Sequence, residues 1–205
     1  KRWLIDASPD LTTQLDRAEA LARVRAAETG RPPILDGVFL THAHIGHYTG
    51  LMYLGREALG ARGVPVYATP RLARFLRENG PWSQLVALGN LDLREITPGK
   101  EVSLSVSLHV TPLVVPHRDE FSDTVAFRVR GPSRRLLYVP DVDKWERWDR
   151  RIEDEVEAAD VALLDGTFLE AGEIPGRRLI DIPHPLVTET ASRLSPALRA
   201  RVRLI

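Results

Sequence analysis

Short apolar runs recur along the chain, and several of them end in a polar residue. Their length and their content of β-branched residues predict strands. The predicted strands cover residues 3–6, 38–40, 64–68, 102–115, 124–129, 136–139, 161–164, 179–182 and 202–205.

Residues with helical spacing separate these strands. Four apolar residues that begin at Leu11 share one face of a helix, which Asp10 caps and Gly30 ends. Further helices are predicted over residues 50–61, 70–78, 82–88 and 185–196. The mixture predicts an α/β (α+β) fold with mixed sheets and flanking helices. Because no linker, repeat or low-complexity tract is visible, we expect one domain over residues 1–205.

Charge and cysteine content exclude several classes of function. Lys+Arg and Asp+Glu both number 28, so the formal net charge of zero disfavours capture of nucleic acid or an anionic membrane. The absence of cysteine excludes disulfides, thiolate metal sites and cysteine nucleophiles. No signal peptide or membrane span is predicted, so a cytoplasmic location is expected. Both ends fall within predicted strands, which predicts truncation at one or both ends.

Three of the six histidines lie within six residues, at His42, His44 and His47, directly after the strand at 38–40. Imidazole is the commonest metal ligand in proteins. In extended chain, residues two apart point to the same side, so His42 and His44 can converge on one ion. The following turn can bring His47 to a neighbouring point.

Four more polar residues each follow a predicted strand: His117, Asp141, Asp165 and His184. If these strands share a sheet system, their ends form one rim that carries histidines and carboxylates. Three histidines with carboxylates are typical of a catalytic metal site, which keeps positions open for water.

On these residues the chain resembles the metallo-β-lactamase superfamily, whose signature is HxHxDH, then a lone His, an Asp after a strand, and a final His. Within it, the segments at residues 7–10 and 49–51 are most similar to PqqB-like proteins. The layout also resembles the RNase Z and PhnP phosphodiesterases, in which a carboxylate ahead of a Thr-Phe pair works with a later His. Here Asp165 precedes Thr167 and Phe168, and His184 follows. The resemblance implies a four-layer αββα sandwich.

The same resemblance implies roles for individual residues. The implied metal ligands are His42, His44 and His117 for a first divalent metal, and His47 with a bridging Asp141 for a second. Asp165 and His184 are implied to be a catalytic pair that handles a proton or contacts phosphate. Zinc is the expected metal, with manganese or iron as alternatives.

Two departures from the family pattern affect the second metal. Gly46 stands where the family has an Asp, and glycine offers no ligand. The final His is expected just after a strand like that at 202–205, where the chain stops. We therefore expect residues beyond Ile205 to supply that ligand in a longer natural protein.

Three functions remain open at this stage. The first is a metal-dependent hydrolase in which a metal-activated water attacks an ester, foremost a phosphodiester. The second is a PqqB-like iron-dependent oxidoreductase in pyrroloquinoline quinone biosynthesis. The third is a degenerate metal-binding protein without activity, which Gly46 favours. The expected partner is a small-molecule ester substrate, without nucleic acid or membrane.

Some further residues receive supporting roles. Asp6 follows the first strand and is expected to brace the loop that carries His42, His44 and His47. His109 is interpreted as structural. The aromatic residues near these motifs are expected mainly to pack in the interior: Tyr48, Trp82, Trp145 and Trp148.

Overall fold

The structure is a computed structural model that describes residues 1–21, 35–173, 175–176, 178 and 181–205. The chain forms two compact units. Unit 1 comprises residues 1–96 and 121–123, and unit 2 comprises residues 97–120 and 124–205. Each unit contains one β-sheet and its own helices, so the predicted α/β class is confirmed. The prediction of one domain stays a prediction.

Unit 1 contains a four-stranded parallel sheet in the order β1-β2-β3-β4. Its strands are β1 Trp3–Ile5, β2 Gly37–Phe39, β3 Val64–Ala68 and β4 Leu91–Glu95. Since the strands are parallel, their carboxyl ends lie at the same edge of the sheet. The residues that follow β1 and β2 therefore come together.

The helices of unit 1 connect these strands. They are α1 Leu11–Leu21, α2 Ile45–Tyr48, a 3₁₀ helix Thr49–Leu54, α3 Pro70–Glu78 and α4 Trp82–Ala87. Helix α3 begins where the Thr69 hydroxyl accepts a hydrogen bond from the Leu72 N–H and Pro70 takes the first helical position.

The core of unit 1 joins its sheet to its helices. Val38 and Val66 come from the sheet, and Leu51, Leu54 and Leu72 come from the helices. All five are fully buried. Burial of each such side chain stabilises the fold by about 1.5–3 kcal/mol.

Unit 2 contains a six-stranded sheet in the order β10-β9-β8-β7-β6-β5. Its strands are β5 Val102–Ser103, β6 His109–Val114, β7 Val125–Arg130, β8 Arg135–Val139, β9 Val161–Leu164 and β10 Val202–Leu204. Strands β5 to β8 are antiparallel neighbours, and β8, β9 and β10 are parallel. It follows that β6, β8, β9 and β10 all end at one edge.

The helices of unit 2 are a 3₁₀ helix Trp145–Arg147, α5 Ile152–Glu157, α6 Val187–Arg193 and α7 Pro196–Arg199. They pack on a core that contains Leu137, Val139 and Leu164. Trp145 and Trp148 are buried in the same core, as expected.

Several predicted elements are confirmed and others are wrong. The strands at 64–68 and 161–164 and the helix at 70–78 have the predicted bounds. The helix predicted over 50–61 is instead a 3₁₀ helix that ends at Leu54, because Gly55 adopts an extended conformation. The predicted end of α1 at Gly30 lies outside the described residues.

The long strand predicted over 102–115 is in fact a hairpin. Leu104 donates its N–H to the Leu108 carbonyl, and the Ser105 hydroxyl accepts from the Ser107 and Leu108 N–H groups. The alternating pattern misled the prediction because it continues through the turn. The strand predicted at 179–182 lies partly outside the described residues, and Asp181 and Ile182 are not in a strand.

Strand β4 was not predicted. It pairs with β3 alone among the described strands, and Asp92, Arg94 and Glu95 leave little apolar signal. Among the described residues, every helix is too short or too polar to cross a membrane.

Gly50 provides a test of how the chain just after His42, His44 and His47 is fixed to the amino-terminal segment. A Cβ at this position would lie 2.0 Å from the Ser8 carbonyl oxygen and 2.9 Å from that of Ala7. We expect Gly50→Ala to destabilise the fold by about 1–3 kcal/mol, since backbone must move to admit the methyl group. Urea unfolding measures the change.

Gly46→Ala is the matched control, because a Cβ there meets no atom within 4 Å. Its stability should match the wild type or slightly exceed it, since alanine favours helix. Equal urea midpoints for the two variants would contradict the close contact at Gly50.

Candidate functional site

The three clustered histidines lie on a segment that we call the histidine loop, residues 41–48. It leaves the carboxyl end of β2 and continues into α2. The loop is fastened to the segment after β1, since Ala7 donates its N–H to the His47 carbonyl and accepts from the Gly50 N–H. The sequence segments that suggested a PqqB-like protein, residues 7–10 and 49–51, therefore contact each other.

The carboxylate of Asp6 is central to the histidine loop. It is buried, and one oxygen accepts from the Thr41 N–H at 2.8 Å. The Thr41 hydroxyl donates to the same carboxylate, and the other oxygen lies 2.8 Å from Nδ1 of His47. Asp6 has a φ of 61°, a left-handed conformation that Asp tolerates better than most residues. The expected bracing of the loop by Asp6 is therefore present.

These contacts define which ring nitrogens can bind an ion. An ionised carboxylate only accepts, so Nδ1 of His47 carries the proton and the lone pair of the neutral ring is on Nε2. The Thr41 hydroxyl gives its proton to Asp6, so it accepts from Nδ1 of His42, 2.9 Å away. The lone pair of His42 is then also on Nε2.

The rings of the histidine loop are in close contact. Nε2 of His42 lies 2.8 Å from Nδ1 of His44, and the ring centroids of His42 and His47 are 4.2 Å apart. Two ring nitrogens that face each other share a proton or a cation. The donor set and its orientation by an outer carboxylate therefore fit a divalent metal.

In unit 2, a second cluster contains the other four predicted residues. His117 follows β6, Asp141 follows β8 and Asp165 follows β9, all at the edge where these strands end. The fourth is His184, which precedes α6.

Asp165 is fully buried and orients His184. Its Oδ2 lies 2.7 Å from Nδ1 of His184 and accepts from the Val142 N–H at 3.2 Å. Its Oδ1 accepts from the N–H and the hydroxyl of Thr167, at 3.0 and 2.7 Å. Four donors to one carboxylate fit a positioning role better than metal ligation.

Asp141 lies between His117 and His184. Its Oδ2 is 3.9 Å from Nε2 of His117, and its Oδ1 is 3.9 Å from Nδ1 of His184. Two ligand atoms about 2.0–2.2 Å from a shared ion are at most about 4.4 Å apart, so these separations are within reach of one ion. The carboxylate of Asp141 therefore suits a metal ligand, whereas Asp165 belongs with His184.

Neighbouring residues that sequence reasoning missed hold both clusters in place. The Ser122 hydroxyl accepts from the Ala43 N–H at 2.9 Å, and Thr41 relays between Asp6 and His42. In unit 2, Lys144 Nζ donates to the His184 carbonyl at 2.8 Å. Only Thr41, adjacent to the cluster, carried a sequence signal; Ser122 and Lys144 stand far from their partners along the chain.

Other residues considered from sequence have packing or surface roles. Tyr48 is buried against Trp82, with ring centroids 4.7 Å apart, and burial raises the pKa of its phenol. His109 contacts Ser103 and Glu101 in the hairpin. These contacts are consistent with a structural role.

Over residues 1–204 the chain matches the family described as Beta-lactamase superfamily domain, and it belongs to that family. Its relatives include the coenzyme PQQ synthesis protein B of Cupriavidus necator, which is 29% identical over 204 residues. The match covers 88% of this chain and 63% of that protein, so the chain spans less than two thirds of the relative's length.

Solved structures agree with this assignment. Zn²⁺-bound PqqB from Methylobacterium extorquens has a TM-score of 0.65 and 25% identity, over 82% of this chain and 57% of that one. A diphosphatase from the PhnP family has a TM-score of 0.62 and 18% identity, over 98% and 66% of the two chains. The second likeness shows the fold alone. The predicted family and fold are confirmed.

Asp6→Asn tests the bracing of the histidine loop. Asparagine keeps the shape and the left-handed conformation but loses the charge, and its amide must face a donor. We expect zinc affinity to fall by about 10–100-fold, because outer carboxylates orient ligating histidines. Competition with a chromophoric chelator measures it.

Asp16→Asn, an exposed change on α1, is the control and should bind zinc like the wild type. Identical zinc affinity in both variants would show that Asp6 does not orient a metal ligand.

Proposed function

We propose that this chain is a metal-dependent hydrolase that cleaves a phosphodiester. The observation that carries the proposal is the pair formed by buried Asp165 and half-buried His184, 2.7 Å apart, beside Asp141. A histidine oriented by a carboxylate is suited to proton transfer, and an ester oxygen needs a proton as it leaves. The substrate is a small molecule, because the balanced charge offers no broad basic surface. A cytoplasmic location is part of the same proposal.

The metal ligands are proposed from the family pattern: His42, His44 and His117 for one ion, and His47 with Asp141 for a second. Within the histidine loop, the orientation of His42 and His47 by Thr41 and Asp6 supports this choice. When bound, such ions lower the pKa of water and supply a hydroxide nucleophile. Zinc is the proposed metal.

His184 acts on the leaving group in this proposal. Its Nδ1 is bonded to Asp165, so Nε2 is the nitrogen that holds and delivers the proton. Asp165 keeps the ring in that orientation through its bonds to Thr167 and Val142, which are fixed by the backbone. Lys144 Nζ donates a hydrogen bond to the His184 carbonyl and thereby holds the backbone of that residue in place.

A PqqB-like iron-dependent oxidoreductase is the second candidate. The identity to coenzyme PQQ synthesis protein B favours it, although the chain spans only 63% of that relative. A third candidate, a metal-binding protein without activity, is favoured by Gly46. Metal identity and oxygen uptake separate these three.

Metal content is the first measurement that we propose. We expect bound zinc or manganese in the purified chain and less metal in His42→Ala, because a predicted ligand is lost. His109→Ala, in the hairpin of unit 2, is the control that should keep its metal. Bound iron together with substrate-dependent oxygen uptake would favour the oxidoreductase over the hydrolase. A purified chain that contains no metal would overturn both enzyme candidates.

His184→Ala tests the proton-transfer role. With ethyl phenyl phosphate as substrate, whose leaving phenolate needs a proton, we expect kcat to fall by about 10²–10⁴-fold while metal content stays unchanged. His109→Ala should retain the wild-type rate. A metal-loaded His184→Ala protein with unchanged turnover would exclude this pair from the reaction.

A further inference from the structure

Phe121 is an exposed aromatic residue fastened beside the histidine loop. The residue is 57% exposed. It belongs to unit 1 as part of the short segment 121–123. Ser122, the next residue, accepts a hydrogen bond from the N–H of Ala43, which stands between His42 and His44. Phe121 therefore lies one residue from a direct anchor on the histidine loop.

The segment that carries Phe121 has a second anchor. Asp123 Oδ1 accepts from the Thr69 hydroxyl at 2.6 Å, and Thr69 is buried at the start of α3. Ser122 is itself buried, with 2% of its surface exposed. Two side-chain hydrogen bonds in consecutive residues fix the backbone just after Phe121, so the ring is presented in a defined place.

Phe121 is also the exposed end of an aromatic cluster. Its ring centroid lies 5.5 Å from that of Phe75, which lies 5.5 Å from that of Tyr48. Tyr48 is buried and directly follows His47. Ile45, which directly follows His44, is 71% exposed and adds apolar surface on the same loop.

An exposed aromatic ring that adjoins a candidate ligand site offers apolar surface on which a planar ring can stack. We propose that Phe121 is a specificity-determining residue that stacks against a planar aromatic ring of the substrate. The small-molecule occupant is inferred from the hydrogen bond between Ala43 and Ser122, which places Phe121 beside the histidine loop. The inference rests on the proposed function, because it assigns the substrate class of that same site.

A pair of phosphonates tests the preference directly. Phenylphosphonate and methylphosphonate share the same anionic group and differ by the ring. On the zinc-loaded full chain, calorimetry should show about three- to tenfold tighter binding of phenylphosphonate, as one aromatic contact provides. Phe121→Ala should abolish that preference and leave the methylphosphonate affinity unchanged. Phe121→Leu, which keeps apolar surface, should retain part of it.

Leu88→Ala is the matched control, because it removes another exposed apolar side chain of unit 1, at the end of α4. It should keep the wild-type preference. Thermal unfolding of Phe121→Ala should match the wild type, since the ring is mostly exposed. A preference that persists in Phe121→Ala would overturn the proposal.

Phenol is a neutral aromatic ring without a phosphonate group, so it tests the role of Phe121 separately from the proposed phosphodiester hydrolysis. Titration with phenol, followed by NMR, should shift signals of the histidine loop in the wild type and not in Phe121→Ala. Phenol binding without phosphonate binding would retain the ring surface and count against phosphodiester hydrolysis. Phosphonate binding without Phe121-dependent phenol shifts would overturn the role of Phe121 and leave the proposed phosphodiester hydrolysis intact. Self-association that Phe121→Ala abolishes would assign the surface to a second copy and overturn the substrate role.

Discussion

The buried carboxylate of Asp6 is the constraint on which the histidine loop depends. It follows β1 and holds the backbone and hydroxyl of Thr41 and the ring of His47, which lie on the loop that leaves the neighbouring strand β2. A carboxylate in the interior is costly unless its oxygens are bonded, and here the loop itself provides the donors. The loop conformation and the burial of this carboxylate therefore depend on each other.

Unit 2 uses the same chemistry with a different histidine. Asp165 is fully buried after β9, accepts from Val142 and Thr167, and orients His184. In both units, the carboxylate sits where a strand ends and fixes which ring nitrogen faces outward. The orientation of both rings is thus set by hydrogen bonds within the fold.

Sequence reasoning found the polar residues that cluster within each unit because strand ends and histidine spacing are local signals. The strand at 64–68 and the polar residues after β2, β8 and β9 could be predicted from short windows. What it missed depends on distant partners. Ser122 reaches Ala43 and Lys144 reaches His184 across long stretches of chain, and β4 shows little apolar pattern at the edge of its sheet. The hairpin at 104–108 was missed because its alternation mimics a strand.

Gly46 gives the histidine loop an evolutionary freedom. The position lies on the exposed side of α2, and its surroundings leave room for a side chain. Glycine and aspartate codons differ by one base, so a single mutation introduces the family's carboxylate without disturbing packing. The number of ligands that this loop offers to the proposed metal site can therefore change by drift or selection while the braces around Asp6 stay intact. The number of carboxylates on the loop and the stability of the fold are thus separable traits in this scaffold.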